Sequence, residues 1–460
     1  MTTRESDLNA RGLGRAIVAV ALLGSVVGGV GAPLITAVAL DLDIALDEAQ
    51  WTLTITLFTG AVTAPVLGRL GAGSQRQETI LGTLALVALG GLLTAVPAPF
   101  GVLLAGRGLQ GLGLGVIPLL MSLARDTLPA DRARKTIATV SVASTVGIGV
   151  AYPLMGFISE AAGLRAAYGC GFLLSLTAFI VAWRAFPRSV PTEGTPVDAL
   201  GAVLLGLGVL GVLLTVSQPS VWNPLWAGAA ILLIACAAFG CWLHVERRSQ
   251  APLVDLRLFS TRNILLANIA MFGSAIAMYL LFSLLTRFVQ TPVQAGYGFD
   301  LSNTAAGAAL IPFSVLGFAA GRLTPWLVDR LSAKPTFIVY TAFTASTVVV
   351  VLLLDSLAAV LAAMSVLGLG VGGISAIMPQ LVLTGVPKSE TASVLSINQI
   401  VRASGFSIGS ALAGLLLVVA TAPGTLFPAQ LGYVTAALWA LPLLALSVIA
   451  VLLIPREGRD

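Results

Sequence analysis

Charge is what this sequence has least of. Twenty-five Lys or Arg and 20 Asp or Glu amount to 10% of 460 residues, whereas 57% are hydrophobic and mean hydropathy is +0.98. A soluble domain carries about 25% charged residues, so the chain reads as an all-α polytopic membrane protein. Histidine and cysteine are nearly as scarce: His244 stands alone, at a helix end where solvent suits it, and Cys170, Cys236 and Cys241 all lie in apolar segments. No disulfide framework or metal-ligand spacing can be assembled from these, so neither a metal nor any other cofactor is expected. A Gly-x-x-x-x-Gly-Lys-Ser/Thr loop is absent too, which removes ATP hydrolysis by this chain as a driving force. Carboxylates are missing from the middle of every apolar segment; Glu160 and Asp355 fall at outer ends and Asp300 in an outer loop. Without clustered His, Cys or acid at depth, an embedded enzyme is a poor reading.

What the chain does have is long apolar runs. About 20 such residues cross a bilayer, and by that measure 14 spans follow one another. Six come first: Arg15–Leu40, Trp51–Leu70, Thr79–Val96, Gly101–Leu123, Ile137–Ala161 and Ala166–Phe186. The first is too long, and lacks the cleavage pattern, for a removed leader. After a proline-rich break at Pro187–Pro196 come Asp198–Ser217 and Pro224–Leu243. The last six are Asn263–Phe288, Ser302–Arg322, Pro335–Leu354, Leu357–Leu383, Thr391–Ala420 and Leu431–Ile454. With both termini placed in the cytoplasm, 21 of the 25 basic residues fall inside, and only Arg165 and Arg287 outside. That alternation is what the positive-inside rule demands. It also accounts for the net charge of +5 without nucleic acid.

Two arginines remain within spans. Arg107 lies in the glycine-laden fourth span and Arg402 in the thirteenth. A charge at membrane depth is costly and marks a functional site by default. Gln110 is three residues from Arg107; Asn398 and Gln399 precede Arg402 by four and three, so amides lie at helical-neighbour spacing. Either each arginine is held by amides and carbonyls as a brace, or it faces the transport pathway. For Arg402 the second alternative brings it to an anionic substrate or lipid headgroup, in which case Arg402→Gln loses transport of the anion.

The chain also repeats itself. Gly111, Gly113, Gly115, Ile117 and Met121 recur 257 positions later as Gly368, Gly370, Gly372, Ile374 and Met378. Ala143-Ser144 and Ile148-Gly149 recur at an offset of 260 as Ala403-Ser404 and Ile408-Gly409. Arg107 has no counterpart, because the equivalent position is Met364. Two parallel six-helix repeats with an extra pair between them give an N-terminal half at 1–186, a linker with two inserted helices at 187–262, and a C-terminal half at 263–460. Such repeats are common in transporters, whose substrate sites lie between them.

Several motifs carry a family resemblance over nearly the whole chain. Leu104-x-x-Arg107-x-x-Gln110-Gly111, Gly147-x-Gly149-x-x-x-Pro153-x-x-Gly156, Glu246 with Pro252-Leu253-Val254-Asp255-Leu256-Arg257-Leu258-Phe259, Gly296-Tyr297-Gly298 with Leu310-Ile311-Pro312, and Asn398-x-x-x-Arg402 occur in order. On this topology they resemble the fourteen-helix drug:proton antiporter branch of the major facilitator superfamily. The resemblance implies the major facilitator fold, multidrug-efflux-like transport and proton coupling. It also departs at two places. The family's acid in the first span aligns with Ala32, and the acid of the loop after the second span with Ala72. Gly68, Arg69 and Arg76 keep the frame of that cytoplasmic gate motif, while the second copy retains Asp329, Arg330 and Lys334. Arginine does not titrate at accessible pH, so Glu160 is left as the candidate proton site.

In the fifth span Tyr152-Pro153 invites a kink. With Gly147, Gly149 and Gly156 it reads either as packing or as a seam on which the halves rock. Gln380, Asn398 and Gln399 are candidate wet pathway residues, and Phe272, Met278 and Phe282 candidate apolar walls. The function these readings support is a monomeric secondary transporter of the cytoplasmic membrane, exporting lipophilic or amphiphilic small molecules by alternating access. A lipid transporter or uncoupled facilitator is the alternative; a channel or sensor is the remaining one.

Overall fold

A computed structural model describes residues 3–44, 46–71, 75–187, 198–217, 219–249, 253, 261–352, 356–421 and 427–455. Ala72, Asp355, Pro252 and residues 254–259 therefore lie outside the described residues, as does the side chain of Ala32. Among the described residues every regular element is helical.

The first six spans are α1 (Thr3–Gly29 and Gly31–Leu42), α2 (Trp51–Leu70), α3 (Arg76–Ala95), α4 (Phe100–Gly115 and Ile117–Thr127), α5 (Ala130–Ala162) and α6 (Leu164–Ala185). The inserted pair is α7 (Ala199–Ser217) and α8 (Leu225–Arg248). Then come α9 (Arg262–Gln290), α10 (Asn303–Ala308 and Ile311–Leu331), α11 (Ala333–Val351), α12 (Leu357–Val382), α13 (Thr391–Val419) and α14 (Gln430–Leu438 and Ala440–Leu453). Among the described residues thirteen of them are long and apolar enough to cross a membrane; in α7 the stretch Ala199–Thr215 is a shorter apolar helix.

Four spans are broken, and each break lies two or three residues before a proline: Val30 before Pro33, Val116 before Pro118, Leu310 before Pro312 and Trp439 before Pro442. A proline lacks the N–H that would reach back one turn and its ring crowds that carbonyl, so the ladder loosens there. Pro65, Pro153, Pro325 and Pro379 sit within continuous helical segments. At Pro153, where the sequence invites a kink, α5 is assigned as one helix from Ala130 to Ala162.

By compactness the chain divides into two units, Met1–Leu258 with Gly385–Ile400, and Phe259–Thr384 with Val401–Asp460. Within the first, α4 is the hub. A Cβ added at Gly111 would strike the carbonyl of Thr56, and one at Gly115 would lie 2.8 Å from Thr63 Oγ1, both on α2. Gly90 of α3 and Gly106 of α4 abut backbone to backbone, an added Cβ at either meeting the other's carbonyl at 2.6 and 2.8 Å. Small residues permit such approach between membrane helices, where packing and not water exclusion drives association. The second unit repeats the scheme around α12. Gly368 and Gly372 seat against the backbone of Phe313 and Gly317 on α10, and Gly370 against Thr344 on α11. The 257-residue sequence repeat is therefore a repeated helix contact: one pair of glycines for the helix two spans earlier, one glycine between them for the helix one span earlier.

α7 packs on α8 through Gly211 against Ala235, and on α2 through Gly206, whose added Cβ would be 3.3 Å from Val62. In the second unit, the loop between α9 and α10 is closed by an aromatic group. Phe288 and Tyr297 pack on Tyr433 with centroids 5.2 and 5.6 Å apart, Thr291 Oγ1 shares a 3.1 Å hydrogen bond with Tyr433, and Tyr297 donates to the carbonyl of Pro428. Burial and the neighbouring Tyr433 hold the Tyr297 phenol above its ordinary range.

Candidate functional site

Arg107 is wholly enclosed. Its guanidinium fans out to four acceptors. Nε donates to the Thr52 carbonyl (3.2 Å), Nη1 to the Val27 carbonyl (3.4 Å) and to Gln110 Oε1 (2.5 Å), and Nη2 to the Gly28 carbonyl (3.4 Å). Val27 and Gly28 are the last residues but two and one of the first α1 segment, next to the break at Val30. There the N–H of Val30 turns back to Val27 at 3.3 Å in place of a regular helical bond. The break in α1 thus lies where α4 brings its charge, and a carbonyl has a second lone pair to accept it. Gly31 completes the seat, since a Cβ there would fall 2.5 Å from Nη2.

The surrounding polar groups extend this tie. Thr56 Oγ1 donates to the carbonyls of Thr52 (2.9 Å) and Arg107 (3.0 Å), and Gln110 Nε2 to Thr94 Oγ1 (3.4 Å). Toward α6 the wall becomes apolar: Val30, Leu34, Leu103, Met155 and Tyr168 belong to one buried cluster. The Tyr168 hydroxyl is enclosed there with no hydrogen-bond partner among the described residues. Three carbonyls and an amide are not ionisable, so this set of partners fixes a positive charge and fastens α4 to α1 and α2 without exchanging protons.

A second polar group sits at the arginine-rich end of the first unit. Arg76 forms a 2.7 Å ion pair with Asp126, at the end of α4. The adjacent Arg125 donates from Nη1 to Thr391 Oγ1 (2.7 Å) and from Nη2 to the Val386 carbonyl (2.8 Å), which secures the start of α13. One turn on, Ser396 donates to the carbonyl of Ala64 (3.0 Å), and an added Cβ at Gly68 would lie 3.1 Å from Ser396 Oγ. Gly68 and Arg76 of the sequence motif are thus brought together with α13, while Arg69 is half-buried beside them in sequence. The carboxylate for Arg76 comes from α4 instead of from the position of Ala72.

The second unit holds the other copy of the motif. Asp329 and Arg330 are exposed, with Arg330 5.0 Å above the Trp326 ring, and Lys334 donates to the carbonyls of Leu452 and Ile454 at the end of α14. A cation there offsets the negative end of the helix dipole. Arg402 is buried and its guanidinium stands 5.9 Å from the Phe406 centroid. Asn398 is buried, Gln399 and Gln380 half-buried; Met278 and Phe282 are buried and Phe272 is exposed. In α5, Gly147 faces Ser25 of α1 at an added-Cβ distance of 2.6 Å, Gly149 and Gly156 are buried, Tyr152 and Pro153 half-buried, and Glu160 is exposed near the helix end. No group of three or more His, Cys, Asp or Glu among the described residues is placed to hold a metal.

A family model described as Major Facilitator Superfamily matches residues 16–410. The chain belongs to that superfamily. As such it is a multi-pass membrane protein, and its relatives include multidrug transporters. It is 23% identical over 383 residues to the multidrug transporter protein MdtP of Bacillus subtilis, covering 81% of this chain and 69% of that one. It is 28% identical over 263 residues to a multidrug resistance protein B homolog of Mycobacterium tuberculosis, covering 54% and 47%. The chain spans less than half the length of the first mycobacterial relatives it matches. Among solved structures, the human organic anion transporter MFSD10 superposes with a TM-score of 0.62 at 14% identity, over 94% of this chain and 99% of that one. The major facilitator fold is thereby established.

The sequence reading overlooked Arg125, Asp126, Thr391 and Ser396. An Arg-Asp pair closing a span was the available signal for the first two. The threonines at 52, 56, 59 and 63, one helical face of α2 turned to α4, were likewise readable.

Proposed function

We propose that this chain is a secondary transporter, not an enzyme, exporting lipophilic or amphiphilic small molecules across the cytoplasmic membrane by alternating access, with both termini in the cytoplasm. The observation that carries the reading is the hold on α13. Its start is fastened to α2 and α4 by Arg125, Thr391, Val386, Ser396 and Ala64, a handful of hydrogen bonds at the arginine-rich end. Such a set is few enough to break and reform at the cytoplasmic gate, in contrast to the enclosed tie around Arg107. Gly68, Arg69 and Arg76 belong to this gate in the present reading; Asp329, Arg330 and Lys334 serve the same face of the second unit. The small residues of α5 give it a smooth rocking surface.

Proton coupling comes from the family resemblance, with Glu160 as the site of proton uptake. Transport in vesicles with an imposed proton gradient, and then with none, tests it. Uptake of a lipophilic dye that follows the gradient, and weakens in Glu160→Gln, supports coupling; uptake indifferent to the gradient removes it. A second reading, an uncoupled facilitator or lipid transporter, draws support from the acids of the spans all lying in terminal turns and from the non-ionisable partners of Arg107. Counterflow of dye against labelled lipid in proteoliposomes separates the two.

A further inference from the structure

One row of side chains in the second unit has no place in that account. On α13, Arg402 and Phe406 are four residues apart and so share a helix face, with the guanidinium 5.9 Å from the ring centroid. Phe406 meets Tyr279 of α9 at 5.2 Å, Tyr279 meets Phe282 at 5.5 Å, and Phe282 meets Phe313 of α10 at 5.3 Å. All these separations are within the range of aromatic and cation–π attraction. Both ends of the row are buried, Arg402 at 8% exposure, and its middle is less so. Phe282 and Phe313 are 9% and 5% exposed, whereas Tyr279 and Phe406, next to the arginine, are only half-buried.

The charge at one end of the row lies deep. Arg402 is 11 residues beyond the start of α13, about 16 Å along its axis at 1.5 Å per residue. Across α9 to α14 the only Asp or Glu is Asp329, in the last turn of α10. Those helices thus supply no carboxylate at the arginine's depth. A ligand that brings a negative charge to Arg402 and a flat ring to Tyr279 and Phe406 satisfies both features at once. A cation meets repulsion, a neutral ring obtains only stacking, and a lipid phosphate only the charge.

We propose that Arg402, Phe406 and Tyr279 form a subsite for a planar aromatic anion, a carboxylate or sulfonate carried on a flat ring. This names the substrate class of the transporter proposed above and rests on that reading for the ligand's route. The probe is 2-naphthoate, bound to the full chain in phosphatidylcholine nanodiscs and compared with 2-naphthylmethanol, 2-naphthylmethylammonium and cyclohexanecarboxylate. A charge-assisted contact makes naphthoate bind about tenfold or more tightly than the alcohol or the ammonium compound. Arg402→Gln brings naphthoate down to the level of the alcohol. Phe406→Leu weakens naphthoate several-fold while leaving cyclohexanecarboxylate near its starting affinity.

Equal or tighter binding of the ammonium compound overturns the proposal, as does naphthoate affinity unchanged in a monodisperse Arg402→Gln protein. Loss of naphthoate binding on exchanging phosphatidylcholine for phosphatidylglycerol also overturns it, since a lipid headgroup then owns the arginine. If Arg402→Gln does not fold, Arg402→Lys and the wild-type ligand series decide. Naphthoate binding without vesicle uptake of any probe counts against the transporter reading and leaves the subsite standing; gradient-driven dye uptake without naphthoate binding does the reverse.

Discussion

Arg107 and Tyr168 make opposite statements about burial. The arginine has four acceptors; the phenol hydroxyl has none among the described residues. Tyr168→Phe should therefore leave stability unchanged or raise it by about 1 kcal/mol, since it removes a polar group that is desolvated without return. Arg107→Lys keeps the charge but replaces a planar fork by a point donor. It cannot reach carbonyls on α1 and α2 and the amide of Gln110 together. A loss of roughly 2–4 kcal/mol is expected, as for one or two charged hydrogen bonds. Unfolding in detergent followed by tryptophan fluorescence checks both, and a Tyr168→Phe protein less stable than wild type would reveal a hydroxyl partner.

For the helices, the repeated glycine contact gives a graded expectation. Gly111→Ala and its repeat-mate Gly368→Ala both drive a methyl into a backbone carbonyl, and each should cost about 1–3 kcal/mol. The second repeat pair should differ. Gly113 has Val87 Cγ2 at 3.6 Å, ordinary contact, whereas Gly370 is pressed on Thr344. Gly113→Ala is expected to be close to neutral and Gly370→Ala destabilising in the same assay. At the start of α13, Arg125→Ala removes both bonds to Thr391 and Val386. Amide exchange over 386–392 should quicken about tenfold, as when roughly 1.4 kcal/mol of local stability is lost. Exchange unchanged there would mean that Ser396 and the Gly68 contact hold the end by themselves.

Over the whole molecule, the positive-inside pattern predicts that alkaline phosphatase fused after Lys388 is inactive and fused after Arg287 active; the reverse pair would invert the topology. How much was legible beforehand follows from the length scale of each signal. Spans and repeat were readable because hydropathy and glycine spacing act along one helix. The break at Val30 was not read, since hydropathy alone makes Arg15–Leu40 one span. The carbonyls beneath Arg107 and the acid opposite Arg76 were not readable, because a backbone acceptor has no letter and Asp126 lies 50 residues from its partner. The Arg107 tie also bears on how the protein is made. Val27, Gly28 and Thr52 are all translated before Arg107. Three of its four acceptors are thus synthesised before the charge itself, and Gln110, the fourth, follows it by three residues.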